Sequence, residues 1–396
     1  MTQNQIIVAG GGLGGLGAAL GLAKKGKNVV VLEKASELGE IGAGIQLGPN
    51  AFHSFDYLGV GKGAREQAVY IEHLRFMDAI TAEEVNRVPL DENFRTRFGN
   101  PYAVVHRADL HKELVKACEE HDLIELRVNS EVVGYDQDGA SITANLSSGD
   151  KVTGDLLVGA DGLHSAVRAK LVGDGAPRIS GDSTYRSVIP VDQMPESLRW
   201  NAATLWMGPN CHLVHYPLSG SKVFNLVITK CNDAKEVVAG KPLSHEEVHA
   251  NFDHIHDTPR QLIDIGQNWR VWVLCDRVPT ENWIDGRAVL LGDAAHPTLQ
   301  YYAQGACMAL EDAVCLSEVI GSYPDNLDEG LKVYTDNRVV RTARIQIGSR
   351  QLGDNWFHVD GVHRKLRNEI MGKMTAEDYY YQLQWLYGHK ASDLAA

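Results

Sequence analysis

A glycine-rich turn near the start of the chain constrains the fold more than any other feature. A β-rich run, 5–9, leads into Gly10, Gly12 and Gly15, and residues 13–25 then have the composition of a helix. Glycine at these positions permits a tight turn and lets a pyrophosphate approach backbone N–H groups. The pattern G-x-G-x-x-G between a strand and a helix therefore predicts a dinucleotide-binding βαβ unit with two parallel neighbouring strands.

An acidic residue closes this unit. Glu33 follows the second predicted strand, 29–32, and lies 18 residues after Gly15. At this place a carboxylate can accept hydrogen bonds from both hydroxyls of an adenosine ribose. NAD and FAD use the same cradle, so the unit alone leaves the dinucleotide open.

Composition excludes several other functions. The 396 residues suffice for two or three structural units, and the net charge of −13 disfavours nucleic acid and anionic membranes as partners. No apolar stretch reaches the length of a membrane-spanning helix, and the six cysteines form no C-x-x-C pair. We therefore expect a cytoplasmic protein with reduced thiols, no bound metal and no membrane insertion.

Two further motifs each end a predicted apolar strand with an acid. Asp161 and Gly162 end one strand, and Gly292 and Asp293 end another before a loop and a predicted helix, 306–320. Taken singly, Asp-Gly is also a common turn pair, and Asp293 could cap a helix. Taken in order with the glycine-rich turn, the motifs resemble those of the single-component flavoprotein aromatic hydroxylases, a family of FAD-dependent monooxygenases.

The resemblance covers residues 6–316 and implies FAD as the bound cofactor. By that resemblance Asp293 would hydrogen-bond the ribityl chain of FAD, Arg107 would contact the flavin, and the segment 42–47 would pass beside the isoalloxazine ring. This segment contains Gly44, Ile45 and Gln46. The sequence has no second nucleotide fingerprint, which the family explains because its members bind NAD(P)H transiently. We take NADH as the co-substrate from the relatives that look closest.

The predicted helix after the Asp293 motif has a physical role that does not depend on the family. Gly305 and Ala306 stand at its beginning. The N–H groups and the dipole of a helix N-terminus can stabilise negative charge on a reduced flavin. This segment therefore belongs to the predicted cofactor site.

The predicted strand 211–217 supplies candidates for the substrate side. Period-two alternation places His212, Val214 and Tyr216 on one face and His215 on the other. A histidine and a tyrosine that face a phenol could hydrogen-bond its oxygen and take its proton, although each residue alone is more often structural. Loss of that proton enriches the ortho and para carbons in electrons.

Gln300 departs from the usual loop of the family. Many relatives read Pro-Met-x-Pro, whereas residues 297–303 read Pro-Thr-Leu-Gln-Tyr-Tyr-Ala. The Gln300 amide could donate or accept at a substrate, or simply stabilise its loop. Together with His212 and Tyr216 it resembles the 3-hydroxybenzoate 6-hydroxylases of the family, which make 2,5-dihydroxybenzoate (gentisate). Salicylate 1-hydroxylases share the His-x-x-x-Tyr-Pro pattern but usually have proline at the Gln300 position.

We predict an α/β fold in which a mixed-sheet substrate domain interrupts a Rossmann-like FAD-binding domain, followed by a helical C-terminal region. The FAD-binding domain would comprise 1–75, 99–176 and 280–355, the substrate domain 76–98 and 177–279, and the helical region 356–396. The expected reaction partners are a small phenolic acid, O2 and NADH, and a homodimer is one possible assembly.

Two functions of other classes stay open. One is an NAD-binding dehydrogenase, which the motifs at Asp161 and Asp293 disfavour. The other is a non-catalytic flavin-binding module, which would oxidise no NADH in response to an aromatic acid.

Overall fold

The computed structural model describes residues 5–39 and 44–394. A six-stranded sheet contains the predicted dinucleotide unit; its strands are β1 (Gln5–Ala9), β2 (Asn28–Leu32), β8 (Ile124–Arg127), β12 (Leu156–Gly159), β19 (Ile284–Asp285) and β20 (Ala288–Leu290). They lie in the order β19, β20, β12, β1, β2, β8, and every neighbouring pair except β19 and β20 is parallel. The apolar runs of β1, β2 and β12 suit this place, because parallel sheets are buried on both faces. The predicted parallel pairing of the first two strands is confirmed.

Several helices share the apolar core of this sheet, among them α1 (Leu13–Lys24), α5 (Arg107–Glu119), α6 (Ala166–Leu171), α9 (Gly305–Ser322) and α10 (Leu327–Leu352). Small residues let α1 and α9 approach closely. A Cβ added at Gly14 would lie 3.1 Å from the Cβ of Ala309, and one at Gly21 would lie 2.8 Å from the Oγ of Ser317. The two helices therefore begin side by side.

Two small sheets complete this half of the molecule. One consists of β9 (Val132–Gln137), β10 (Ile142–Leu146) and β11 (Lys151–Gly154), which pair antiparallel as the turn signals between 131 and 160 predict. The other consists of β3 (Gly44–Leu47), β4 (Val69–Tyr70) and β7 (Ala103–His106). Along the chain, α2 (Pro49–Leu58) and α3 (Gly61–Gln67) lie between β3 and β4, and α4 (Glu92–Phe98) precedes β7.

The predicted mixed sheet has eight strands. In spatial order they are β17 (Lys241–Pro242), β18 (Arg270–Asp276), β13 (Arg178–Pro190), β16 (Val223–Cys231), β15 (Cys211–Leu218), β14 (Ala202–Gly208), β5 (His73–Asp78) and β6 (Glu84–Pro89). Only the pair β14 and β5 is parallel among these strands. Helices α7 (His245–His249) and α8 (Asp257–Asp264) share a core with this sheet, to which Trp206, Leu213 and Phe252 belong.

The C-terminal region is helical, as predicted. A π-helical turn, Gly353–Phe357, follows α10, and α11 (Gly361–Lys373) and α12 (Ala376–Tyr387) follow it. Tyr379 and Tyr380 are buried, and Tyr380 packs against the ring of Phe94, whereas Tyr381 is 76% exposed. The α/β class with a mixed sheet and a helical C-terminal region is thus confirmed, while the six domain ranges stay a prediction. Within the two described ranges, no helix is both long enough and apolar enough to cross a bilayer.

Candidate active site

Two cavities lie along the predicted cofactor and substrate residues. The main cavity has a volume of about 740 Å³, and its lining comes from the glycine-rich turn, from β3, from β15 and from the segment 298–306. A smaller cavity of about 230 Å³ lies beside Gly10, Glu33 and Asp161. Gly12, Ala160 and Gly162 line both, so the two cavities meet at the glycine-rich turn.

The glycine-rich turn requires glycine for close backbone approach. Gly10 has φ +105°, and a Cβ there would lie 2.3 Å from the carbonyl oxygen of Ala160. A Cβ at Gly15 would lie 2.0 Å from the carbonyl oxygen of Gly10. Gly12 precedes α1 and provides no side chain to cap it, so the first N–H groups of this helix are available to an anion.

Glu33 lies beside this turn, at the small cavity. Its Oε2 accepts a hydrogen bond from the backbone N–H of Gly11 at 2.7 Å, and its Oε1 accepts one from that of Ala35 at 2.9 Å. Each carboxylate oxygen keeps further acceptor capacity. The carboxylate is therefore placed where an adenosine ribose would lie next to a pyrophosphate on α1.

Asp161 lines the small cavity and also accepts hydrogen bonds from the start of α6. Its carboxylate accepts hydrogen bonds from the hydroxyl of Ser165 at 2.5 Å and from the backbone N–H of Ala166 at 2.8 Å. Burial raises the pKa of this carboxyl group. Asp161 thus holds the start of α6 and also lies at the cavity.

Asp293 stands on a loop that buried charges hold in place. The backbone N–H of Gly292 donates to Oδ2 of Asp312 at 2.9 Å, and Arg168 donates to the carbonyl oxygens of Ala294 and Ala295 at 2.9 and 2.6 Å. Asp293 itself is exposed and lines the main cavity. Its carboxylate is therefore open to a polyol chain, and it does not cap a helix through a side-chain hydrogen bond.

The start of α9 reaches the main cavity without a side-chain cap. Ala303 has φ +53°, a left-handed conformation that turns the chain, and Gln304 at the N-cap makes no side-chain capping bond. Gly305 and Ala306 line the cavity. The positive end of this helix dipole is therefore free for an electron-rich ligand group.

The strand β3 and the start of α5 form another part of the cavity lining. Gly44 is close to the substrate side, since a Cβ there would lie 2.7 Å from Cε2 of Tyr216. Ile45 and Gln46 follow on the same strand, and Arg107 is the first residue of α5. The remainder of the predicted segment, residues 40–43, lies outside the described residues.

The strand β15 alternates as predicted. His212, Val214 and Tyr216 line the main cavity, whereas His215 packs on the opposite face and accepts a hydrogen bond from Nε1 of Trp206 at 3.3 Å. Burial lowers the pKa of His212 well below its usual value and raises that of Tyr216. At neutral pH His212 is therefore an uncharged base and Tyr216 a protonated phenol.

Gln300 lines the cavity, but most of its amide's hydrogen-bonding capacity is already taken by neighbouring side chains. Nε2 donates to the hydroxyls of Thr184 at 3.1 Å and Thr229 at 3.0 Å. Oε1 accepts from the guanidinium of Arg186 at 3.1 Å. Both N–H groups of the amide are engaged, so a substrate hydroxyl would meet Gln300 at the remaining lone pair of Oε1.

Arg186 is a partly buried cation at the cavity, and the sequence analysis did not identify it. Its guanidinium lies 5.3 Å from the ring centre of Trp272, and its Nε has no hydrogen-bond partner among the described residues. No carboxylate of the described ranges forms an ion pair with it, and burial lowers its pKa. A partly buried guanidinium at a cavity, with no ion-pair partner in the described part of the chain, is suited to an anionic ligand.

Comparisons with known proteins agree with this geometry. Residues 3–346 match the family described as FAD binding domain. The chain is 54% identical over 386 residues to 3-hydroxybenzoate 6-hydroxylase 1 of Aquipseudomonas alcaligenes, with 98% of each chain covered. It is 47% identical over 391 residues to 3-hydroxybenzoate 6-hydroxylase of Polaromonas naphthalenivorans (strain CJ2), covering 99% of this chain and 97% of the other. The chain belongs to the FAD-dependent aromatic hydroxylases.

The fold of this hydroxylase also matches that of a solved structure. HpxO of Klebsiella pneumoniae, as a single-residue variant complexed with FAD, superposes with a TM-score of 0.82 at 25% identity. The superposition covers 97% of the hydroxylase chain and 99% of the other chain. FAD is the cofactor of the hydroxylase, and the paired cavities, the glycine cradle and the two uncapped helix starts fit its dinucleotide and flavin parts.

His358 is a second residue near the cavity that the sequence analysis did not identify. Nε2 of His358 lies 2.7 Å from Nδ1 of His212, although 146 residues separate the two in the chain. His358 follows the π-helical turn that ends α10. A lone histidine after a helix gives no sequence signal of this contact. Arg186 gave only a weak signal, a cation within the apolar and hydroxyl-bearing run 183–189.

Proposed function

We propose that this hydroxylase converts 3-hydroxybenzoate to 2,5-dihydroxybenzoate (gentisate), with NADH and O2, in the degradation of aromatic compounds. One observation carries the proposal: His212 and Tyr216 of β15 line the same cavity as Asp293 and the start of α9. The relatives named 3-hydroxybenzoate 6-hydroxylase support the choice of substrate.

FAD, when bound, supplies the redox chemistry between NADH and O2, which no side chain of the protein can provide. The task of the hydroxylase residues is to hold and activate the substrate. Nδ1 of His212 is engaged with His358, so Nε2 is the atom that would accept the proton of the phenol. The resulting phenolate is electron-rich at its para carbon, which favours hydroxylation there.

Binding of the carboxylate fits Arg186. A benzoate carboxylate would supply the acceptors that the partly buried guanidinium lacks, and Gln300 would keep the guanidinium in place through its Oε1. Tyr216 keeps its proton and can donate to a substrate oxygen. These groups would orient the ring by both of its polar substituents.

An apolar rim would keep water from the reacting ring. Leu205, Tyr301, Phe357 and Met371 are each less than a tenth exposed and share one cluster beside the cavity. Exclusion of water matters because solvent promotes loss of peroxide in place of oxygen transfer. We therefore assign this cluster to coupling of NADH oxidation to product formation.

The first experiment measures NADH oxidation by the FAD-loaded protein with 3-hydroxybenzoate and, separately, with salicylate. Products are identified by chromatography, and peroxide is quantified. We expect gentisate from 3-hydroxybenzoate with little peroxide. Catechol from salicylate, without turnover of 3-hydroxybenzoate, would establish a salicylate 1-hydroxylase instead. No stimulated oxidation by these or other phenolic acids would favour a non-catalytic flavin-binding module.

A further inference from the structure

A chain of four polar side chains leads away from the main cavity. Nδ1 of His212 lies 2.7 Å from Nε2 of His358, and Nδ1 of His358 lies 2.9 Å from Sγ of Cys231. Burial and, after it, the nearby carboxylate of Asp182 raise the pKa of the Cys231 thiol. The relevant atoms of Asp182, Cys231 and His358 all lie within 4.8 Å of one another.

The chain runs from a dry interior to the protein surface. His212 and His358 are 3% and 9% exposed, whereas Cys231 and Asp182 are both partly exposed. The ring centres of Tyr301 and Phe357 lie 5.2 and 5.4 Å from that of His212 and cover the histidine pair. Among the described residues, His358 is therefore the polar group through which Nδ1 of His212 connects to solvent.

A proton taken from the substrate cannot remain on the histidine pair at low energetic cost. Burial lowers the pKa of His212 well below its usual value, and burial lowers that of His358 to about 4. The negative charge near the pair lies at the outer end of the chain, on Asp182 and on Asp354, with Arg178 nearby. The field therefore favours movement of the proton outward.

We propose that His358, Cys231 and Asp182 form a proton relay that carries the phenol proton from His212 to solvent. The inference rests on the proposed function, because it assigns an exit to the proton of a phenolic substrate. The three residues are positioning residues, since they act through His212 and do not touch the substrate.

The transfers balance as a shift of one proton at each link. The phenol O–H breaks as an N–H forms at Nε2 of His212, and the Nδ1 proton of His212 passes to Nε2 of His358. The Nδ1 proton of His358 passes to Sγ of Cys231 while the thiol proton passes to Asp182. Asp182 then returns its proton to water. One proton leaves the substrate, one reaches solvent, and no electrons are exchanged.

The test follows the proton directly and needs no NADH. FAD-loaded protein is mixed with 3-hydroxybenzoate in weakly buffered solution containing a pH-indicator dye, and dye and phenolate absorbance are recorded by stopped flow. Cys231→Ala breaks the link between His358 and Asp182, so we expect proton release to slow by at least about tenfold. Cys231→Ser keeps a hydroxyl that accepts and donates, so it is expected to restore the wild-type rate.

Cys275→Ala is the matched control, because Cys275 is a partly exposed thiol of the same sheet, and its hydrogen bond within the described ranges is to the carbonyl oxygen of Val273. Equal rates of proton release in Cys231→Ala and the wild type would overturn the relay. Wild-type protein that binds 3-hydroxybenzoate without releasing a proton would also overturn it and leave the substrate assignment intact. Absence of binding would overturn the proposed substrate and the relay with it.

Discussion

His212 is the residue whose surroundings most constrain its chemistry. It is buried and uncharged, it is bonded to His358 through Nδ1, and it lines the cavity. The sequence placed it on the correct face of β15 because side chains of a strand alternate with period two. The contact with His358 could not be predicted, since no local pattern links residues 146 positions apart.

Replacement of this histidine should uncouple the reaction. In His212→Ala the phenol loses its base, so product formation should fall by about 10² to 10⁴-fold while NADH and O2 give peroxide. Product and peroxide per NADH are measured together. The control is His363→Ala, an exposed histidine of α11, which should behave as wild type. Full coupling in His212→Ala would remove His212 from the mechanism.

Arg186 should determine the preference for a carboxylate. Arg186→Met keeps the length of the side chain but removes its charge, so the Kd for 3-hydroxybenzoate should rise by about one to two orders of magnitude, as for loss of a hydrogen bond to a charged group. The Kd is measured by the absorbance change of bound flavin. Binding of 3-hydroxybenzamide, which carries no charge, should change little. Arg270→Met, an exposed arginine on β18, is the matched control, and equal Kd values in both variants would contradict this role.

At the scale of elements, a buried ion cluster joins α9 to α10. Arg338 pairs with Glu311 and Asp312, and Arg341 pairs with Glu311, all within 2.6 to 2.7 Å. Asp312 also binds Gly292, so the cluster fixes the loop that presents Asp293. The sequence predicted α9 from its periodicity, but not its pairing with α10, which extends over 26 residues.

Loss of one charge in this cluster should destabilise the fold. Burial alone would raise the pKa of Glu311, but Arg338 and Arg341 lower it to about 2. Glu311→Gln leaves Arg341 without its carboxylate partner and leaves Arg338 with Asp312 alone. The free energy of unfolding should therefore fall by about 3 to 5 kcal/mol in urea titrations. The control on the same helix is Glu318→Gln, whose pair with Lys25 is partly exposed and should contribute no more than about 1 kcal/mol.

The pH dependence of this effect has a definite sign. The pKa of Glu311 is lower in the folded protein than in the unfolded chain, so its stabilisation is fully present above the unfolded value of about 4.3. It is lost as the pH falls from there towards about 2. The difference in stability between wild type and Glu311→Gln should therefore shrink over this range. A constant difference would contradict the assignment of the charge to Glu311.

At the scale of the whole molecule, FAD would occupy both cavities and contact several separate segments. Gly12, Asp293 and the start of α9 come from distant parts of the chain, and all line the main cavity. A ligand that binds only the folded state stabilises the fold by mass action.

FAD should therefore raise the Tm of the apoprotein. At a free concentration of 100 times its Kd, the gain should be about 2.7 kcal/mol. Asp293→Ala should leave the Tm of the apoprotein unchanged, because the side chain is exposed, but it should reduce the increase that FAD produces. Thermal unfolding is followed with and without FAD. An equal FAD-dependent increase in both proteins would remove Asp293 from the cofactor site.

The sequence by itself determined the parts of this protein that local chemistry dictates. Gly10 and Gly15 stand where a side chain would collide with backbone carbonyl oxygens, and the apolar runs before Asp161 and Asp293 form buried parallel strands. The tertiary structure decided which distant side chains meet. Gln300 bonds Arg186, Thr184 and Thr229, and His212 contacts His358. These contacts join residues between 71 and 146 positions apart. Such contacts depend on how sheets and helices pack, which neither periodicity nor a motif encodes.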